Sequence, residues 1–148
     1  MRRACRLFDR VHVTVAVNSS KKPLFSPDER VSHIEQCVDQ LPNVIVSSFE
    51  GLLVDYAVKM DARVILRGLR AVSDFEYEFQ LAQMNHTVKP EVETLFLATA
   101  VHHSFLSSSV VKEVARFGGD VSHLVPQGVA QDLTRLFNRV NSSQKRNG

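Results

Sequence analysis

The sequence predicts one α/β domain built on a mostly parallel β-sheet with helices on both faces. Four short apolar runs rich in β-branched residues alternate with segments of helical spacing, which is typical of parallel strands buried on both sides. A chain of 148 residues is long enough to bury one core, and no repeat or linker divides it. We therefore expect a single domain over residues 1–140 and a polar, frayed tail over residues 141–148.

The strands and helices are predicted from residue spacing and from end signals. The predicted strands are Val11–Val17, Val44–Phe49, Arg63–Leu66 and Thr94–Ala98. The clearest helix begins at Ser26-Pro27-Asp28-Glu29, which combines an N-cap serine, a proline at the first position and a capping box. Further helices are predicted over Leu52–Met60, from a second capping box at Ser73 to about Asn85, from Ser107–Ser109 to Gly118-Gly119, and from Pro126 to about Val140.

The start of the chain departs from this architecture. Ala4, Leu7 and Phe8 have the spacing of one face of a helix, whereas domains of this type normally open with a strand whose following loop carries binding groups. We therefore expect a segment to be missing in front of Met1. The basic start has no apolar run behind it, which predicts that it is not an ordinary signal peptide.

Composition narrows the classes of function. The net charge of +2 is too small for non-specific nucleic-acid binding, and no stretch approaches the length of about 18 apolar residues that spans a bilayer. Cys5 and Cys37 are far apart and form no C-x-x-C pair, which indicates reduced thiols in a cytoplasmic protein. The sequence has no Gly-rich phosphate loop, no nucleophile elbow and no metal-ligand spacing of its six histidines. An anion site must therefore arise from local clustering of lysine and arginine side chains.

Three loops that follow predicted strands could form such a site, because ligands of parallel sheets bind beyond the carboxyl ends of the strands. Lys21 and Lys22 follow the first strand, although a solvated turn explains this loop better when it is taken alone. Arg67–Arg70 offers two guanidinium groups beside Gly68, which permits close backbone approach; two surface arginines are the alternative. Ser107–Ser109 precedes a helix, where capping needs only one serine, so three favour anion binding.

Three carboxylates follow the arginines closely in the sequence, namely Asp74, Glu76 and Glu78. They could cap the helix, pair with the arginines, or hold a ribose hydroxyl or the adenine amino group of a nucleotide. The sequence alone leaves these roles open. Together the loops predict a phosphate grip, by which we mean a nucleotide-phosphate site between Arg67–Arg70 and Ser107–Ser109.

Longer strings around these loops resemble a known family. The run Val64–Glu78, followed by Gln80–Asn85, is similar to the signature of bacterial phosphopantetheine adenylyltransferases. Ser104–Ala115 and Gly119–Val121 continue the pattern, and similarity extends to about Phe137. Strings this long and in this order are far more specific than a lone glycine motif.

The resemblance implies a Rossmann-like nucleotidyltransferase fold. It also implies transfer of the adenylyl group from ATP to 4′-phosphopantetheine, which gives dephospho-coenzyme A and pyrophosphate, with Mg²⁺ on the phosphates. By the same resemblance Lys21 and Arg70 are the catalytic cations, and Lys21, Leu53 and Arg67 bind phosphopantetheine. The implied ATP contacts are Gly68, Leu69, Arg70, Glu78, His103, Ser104, Phe105, Leu106, Ser107, Ser108 and Ser109. A homohexamer, feedback by coenzyme A, and no nucleic-acid or membrane partner are also implied.

The family's first strand and its Thr/His-x-Gly-His loop, roughly twenty residues in all, have no counterpart here, since the chain holds no Gly-His pair. In the family that strand lies at the sheet centre, so we expect Val11–Val17 and Arg63–Leu66 to lack their shared neighbour. Three alternatives remain open. They are a related enzyme such as a nicotinamide-mononucleotide adenylyltransferase, a catalytically impaired protein that binds ATP or coenzyme A, and an RNA-binding domain that uses Lys145-Arg146.

Overall fold

Strands and helices alternate along the chain. The structure is a computed structural model, and it describes residues 1–18, 23–69, 72–99 and 106–144. After a short 3-10 turn at Ala4–Arg6, the elements are β1 (Val11–Val17), α1 (Pro27–Val38), β2 (Val44–Glu50), α2 (Leu53–Lys59), β3 (Val64–Leu69), α3 (Val72–Val88), β4 (Glu93–Ala98), α4 (Ser108–Arg116) and α5 (Gln127–Gln144). The predicted α/β class is confirmed.

The strands of the described residues form two sheets of two strands each. β1 pairs with β2, and β3 pairs with β4. The β3–β4 pair is parallel, with a register that runs from Val64 beside Glu93 to Leu69 beside Ala98. β1 and β3, which the sequence predicts to lack a shared neighbour, belong to different sheets.

The chain divides into two compact units. The first comprises residues 1–13, 28–46 and 106–144, and its core includes Val111 and Ala115 of α4 with Leu133 and Phe137 of α5. Helical spacing explains why these residues are buried together, because residues three or four apart lie on one face of a helix. The Arg116 guanidinium lies over the Phe137 ring, 5.8 Å from its centroid, which is a cation–π contact.

The second unit comprises residues 14–18, 23–27, 47–69 and 72–99. Val54 and Ala57 of α2 pack against Ile65 of β3 and against Val92, which is 1% exposed. Side chains alternate between the two faces of a strand, so Ile65 shares its face with Arg67. This arrangement places a charged side chain on the face that helices cover.

The α2 helix ends in a left-handed turn. The amide of Ala62 donates to the carbonyl of Ala57 at 2.9 Å, and the amide of Asp61 donates to the carbonyl of Val58 at 3.0 Å, which is the Schellman pattern. Asp61 has a φ of 53°, a conformation that most side chains disfavour and that aspartate tolerates better than most. The turn directs the chain into β3.

Several predicted boundaries are wrong. β3 continues three residues beyond Leu66, because its ladder with β4 extends to Leu69 and Ala98. The first helix is reduced to one 3-10 turn, and Leu7 is 65% exposed although its spacing predicts a buried face. The last helix continues beyond Val140 to Gln144. Within the described ranges, each helix is too short or too polar to cross a membrane.

Candidate functional site

Arg67 lies inside β3 and not in the loop that the sequence predicts after it. Its position two residues after the buried Ile65 puts the stem of the side chain on the covered face of the sheet. Arg67 is in the carboxyl-terminal half of the strand and is followed there by Gly68 and Leu69. This end of a parallel strand is where ligands of open α/β sheets bind.

Arg67 and Glu78 form a bidentate ion pair. The Nε of Arg67 donates to Oε2 of Glu78 at 2.8 Å, and Nη2 donates to Oε1 at 2.6 Å. The Arg67 side chain is 40% exposed and that of Glu78 only 14%. Of the carboxylates that could pair with the arginines, the structure therefore assigns Glu78 to Arg67, and the carboxylate is the more hidden partner.

This ion pair shifts the pKa of both of its groups. The hydrogen bonds from Arg67 hold the pKa of the Glu78 carboxyl below its ordinary value, against a smaller opposing effect of burial. The hydrogen bonds to Glu78 raise the pKa of the Arg67 guanidinium further. Both groups are charged at neutral pH, and the guanidinium keeps its Nη1 edge without a hydrogen bond to any other described residue.

No described residue crowds a side chain at position 68. A Cβ atom built there would lie 3.6 Å from Oγ1 of Thr99, which is an ordinary contact, and the backbone is not in the left-handed region. Gly68 is also exposed. The idea that glycine serves close approach of a ligand stays a prediction, and neither backbone strain nor crowding by a described residue explains the glycine instead.

Leu53 begins α2 and packs against the core cluster of Val54 and Ile65. It is half-buried, so part of its side chain still faces solvent. The preceding Leu52 is the N-cap residue and is 59% exposed. The neighbourhood is apolar, and a role of Leu53 in lining a pantetheine channel stays a prediction.

The serine run begins α4 in the first unit. Ser107 is the N-cap residue, and its Oγ accepts a hydrogen bond from the amide of Val110 at 3.2 Å. Ser108 and Ser109 lie in the first helical turn and are exposed, while Leu106 is half-buried. One serine therefore caps the helix, which leaves two hydroxyl groups that capping does not use. The phosphate grip with Arg67–Arg70 stays a prediction.

Five predicted site residues lie outside the described residues. They are Lys21, Arg70, His103, Ser104 and Phe105. Among the residues that are described, no three His, Cys, Asp or Glu side chains come together as metal ligands.

Two features of the second unit have no counterpart in the sequence predictions. A cavity of about 480 Å³ lies at the amino ends of β3 and β4, away from Arg67. None of its lining residues is a predicted site residue; they are Val58, Asp61, Ala62, Arg63, Glu91 and Val92. The second feature is an apolar stripe on α3 that is exposed; it consists of Tyr77, Leu81, Met84 and Val88. The spacing of this stripe, one residue every three or four positions, is visible in the sequence.

Comparisons with known proteins assign the family. A family model described as cytidylyltransferase-like matches residues 1–114. The phosphopantetheine adenylyltransferase of Synechococcus sp. (strain RCC307) is 61% identical over 139 residues, which are 94% of this chain and 84% of that protein. That of Gloeothece citriformis (strain PCC 7424) is 56% identical over 91% of this chain and 86% of its own length. That of Gloeobacter violaceus (strain ATCC 29082 / PCC 7421) is 56% identical over 91% and 84%.

These matches agree with the resemblance that the sequence strings predict, and they confirm the Rossmann-like α/β fold class. The matched regions include the strand that holds Arg67 and the helix that holds Glu78. The chain belongs to the cytidylyltransferase-like proteins and, among them, to the phosphopantetheine adenylyltransferase family.

Proposed function

We propose that this chain transfers the adenylyl group of ATP to 4′-phosphopantetheine, which yields dephospho-coenzyme A and pyrophosphate. The observation that supports this function best is the guanidinium of Arg67, held by two hydrogen bonds at the carboxyl-terminal half of β3. A fixed, forked donor at this edge of a parallel sheet suits a phosphate group. The relatives named phosphopantetheine adenylyltransferase add the identity of the substrate.

The proposed reaction needs no covalent enzyme intermediate. An oxygen of the phosphopantetheine phosphate attacks the α-phosphorus of ATP, and the bond from that phosphorus to the bridging oxygen of pyrophosphate breaks in line. Catalysis then consists of positioning and of neutralising charge that spreads over phosphate oxygens. In the proposal Lys21 and Arg70 supply this charge at the reacting phosphate, and Arg67 and Leu53 hold the phosphopantetheine.

The remaining assignments concern ATP. We assign to it Gly68 and Leu69 of β3, Glu78 of α3 and the segment His103–Ser109, whose last three residues begin α4. The exposed hydroxyl groups of Ser108 and Ser109 support a phosphate contact at this helix start. In this proposal Mg²⁺ binds together with ATP and neutralises part of the charge of its phosphates. The described residues offer no cluster of protein ligands for this ion.

The proposal also includes self-association into a homohexamer, binding of coenzyme A as a feedback inhibitor, and a cytoplasmic location. The exposed apolar stripe of α3 supports self-association, because such stripes are usually covered by a partner. Light scattering on the purified chain tests the oligomer, and competition of coenzyme A with phosphopantetheine tests the feedback. A monomer at micromolar concentration would contradict the first of these.

The decisive experiment measures pyrophosphate release from ATP in the presence of phosphopantetheine or of nicotinamide mononucleotide. We expect release only with phosphopantetheine. Release with nicotinamide mononucleotide would transfer the chain to a related adenylyltransferase. ATP binding in a calorimeter without pyrophosphate release in either mixture would instead favour a protein that binds ATP without catalysing the reaction. Tight RNA binding at physiological salt would contradict both the enzyme and this ATP-binding protein.

The Gly68→Ala variant separates ligand binding from folding. Because a Cβ atom at this position makes only an ordinary contact with the described residues, we expect an unchanged or slightly higher unfolding midpoint. If the ATP backbone contact is real, the added methyl group should nonetheless weaken ATP binding by about tenfold or more. Unchanged ATP affinity would remove Gly68 from the ATP site.

A further inference from the structure

The cavity at the amino ends of β3 and β4 is lined by residues that the proposed reaction does not use. Its volume of about 480 Å³ lies within the range of about 300–1,000 Å³ that is usual for small-molecule sites. Arg63, in its lining, comes four residues before Arg67, which corresponds to about 13 Å along extended backbone. The cavity is therefore a separate place on the second unit.

The floor of the cavity is apolar. Val92 is 1% exposed and belongs to the core cluster of this unit, and Ala62 packs against that cluster. Val58, near the end of α2, is 42% exposed, so a ligand in the cavity would cover methyl groups that now face solvent. Burial of such a surface favours a ligand that has an aliphatic part.

Three charged side chains complete the lining, namely Asp61, Arg63 and Glu91, and all three residues are exposed. Within the part of the chain that the structure describes, none of these side chains forms an ion pair or a hydrogen bond. The guanidinium of Arg63 therefore keeps its forked donors for a carboxylate, and the two carboxylates keep their oxygens for an ammonium group.

Asp61 occupies a position where a helix commonly ends in glycine. Its φ of 53° is left-handed, and an aspartate in this conformation is less stable than a glycine. Aspartate often offsets this cost with a side-chain hydrogen bond to nearby backbone, but Asp61 makes no such bond to a described residue. Local structure therefore does not explain the carboxylate, which points to a ligand as its partner.

We propose that this cavity binds a small aliphatic α-amino acid. The carboxylate of the amino acid pairs with Arg63, its ammonium group pairs with Asp61 and Glu91, and its aliphatic side chain covers Val58 and Val92. One positive and two negative groups around an apolar floor are complementary to a zwitterion. A simple anion would be repelled by the two carboxylates, and a diamine would be repelled by the guanidinium. This site goes beyond the proposed adenylyl transfer and does not depend on it.

Calorimetry on the full, unmodified chain uses L-leucine as the probe, with three analogues that each lack one part of it. Isoamylamine lacks the carboxylate, isocaproate lacks the ammonium group, and glycine lacks the aliphatic side chain. We expect leucine to bind with a dissociation constant of about 1 mM or lower, and each analogue to bind at least about tenfold more weakly. An analogue that binds as tightly as leucine, or no leucine binding at about 10 mM, would overturn the proposal.

Two substitutions test the pairing of charges. Asp61→Asn keeps a side chain that tolerates left-handed backbone, so the unfolding midpoint should stay unchanged. It should weaken leucine binding about tenfold but should not weaken isocaproate binding, because isocaproate has no ammonium group. Arg63→Gln should likewise weaken leucine binding but not isoamylamine binding. Unchanged leucine affinity in either variant, or equal losses for leucine and the matching analogue, would overturn the proposal.

Glu50→Gln is the matched control, because it removes an exposed carboxylate of the same unit that does not line the cavity. Its affinity for leucine should equal that of the unmodified chain, and an equal loss in this variant would overturn the proposal. Leucine should also bind equally well with and without phosphopantetheine. Competition between the two would place leucine at Arg67 and would contradict a separate site. Failure of adenylyl transfer, by contrast, would leave leucine binding unchanged.

Discussion

The ion pair of Arg67 and Glu78 should stabilise the folded chain by an amount that a double-mutant cycle can measure. An exposed pair contributes about 0–1 kcal/mol, whereas breaking a buried pair costs about 3–5 kcal/mol. With side chains 40% and 14% exposed and two charge-assisted hydrogen bonds, this pair lies between those limits. We expect a coupling energy of about 1.5 kcal/mol between Arg67→Ala and Glu78→Ala.

The assay is urea unfolding of the four chains of the cycle near neutral pH. Lys89 and Asp55, in the same unit, provide a matched control pair. Their single contact, Nζ to Oδ1, is 3.4 Å long, and the side chains are 35% and 57% exposed. We expect a coupling energy below about 0.5 kcal/mol for this control. Equal coupling in the two pairs would refute the argument that burial and bidentate geometry strengthen the first.

The sign of the pH dependence follows from the lowered pKa of Glu78. A carboxyl group whose pKa is lower in the folded chain than in the unfolded one stabilises the fold by its full amount above the unfolded value of about 4.3. This stabilisation is lost as the pH falls through the lowered pKa of the folded state. The coupling energy should therefore shrink on acidification, and a coupling that grew would contradict the assigned cause.

Three further changes probe the second unit and the start of α4 by urea unfolding. Val92→Ala removes two buried methyl groups from a side chain that is 1% exposed and should cost about 2 kcal/mol; a cost below about 0.5 kcal/mol would contradict the core assignment. Asp61→Gly relieves a φ of 53° and should stabilise the chain by about 0.5–1 kcal/mol, whereas destabilisation would mean that the aspartate side chain has another role. Ser107→Ala removes the cap that accepts from Val110 and should cost about 1 kcal/mol; no cost would place the cap elsewhere.

The strand pattern was predictable where local spacing alone decides it. The bounds of β1, Val11–Val17, agree with the structure, because a run of β-branched residues is flanked by polar ones. The predicted end of β3 lies three residues too early, because Arg67 and Gly68 are typical of a loop. Their strand conformation depends on hydrogen bonds to β4, and no local pattern contains that pairing.

The sequence predicts the residue types of the candidate site, but it does not predict which carboxylate pairs with Arg67. An arginine and a glycine near the end of an apolar run indicated a phosphate contact at Arg67. Which carboxylate would pair with it could not be predicted, because that depends on the rotation of α3 about its axis. In the structure Glu78 lies with Ala82 and Asn85 on the half-buried side of the helix, while Glu76 is exposed. Packing against the sheet sets this rotation.

The division of the described strands into two pairs has a consequence for how fast the backbone exchanges its hydrogens. In a parallel pair the amides of each strand point alternately toward the partner strand and away from it. Each described strand has one partner strand, so the rate of deuterium exchange along β3 and β4 should alternate between slow and fast at successive residues. Pairs of strands are also marginal without helices on them. The slow amides of β3 and β4 should therefore report the opening of α2 and α3, and Val92→Ala should accelerate them together.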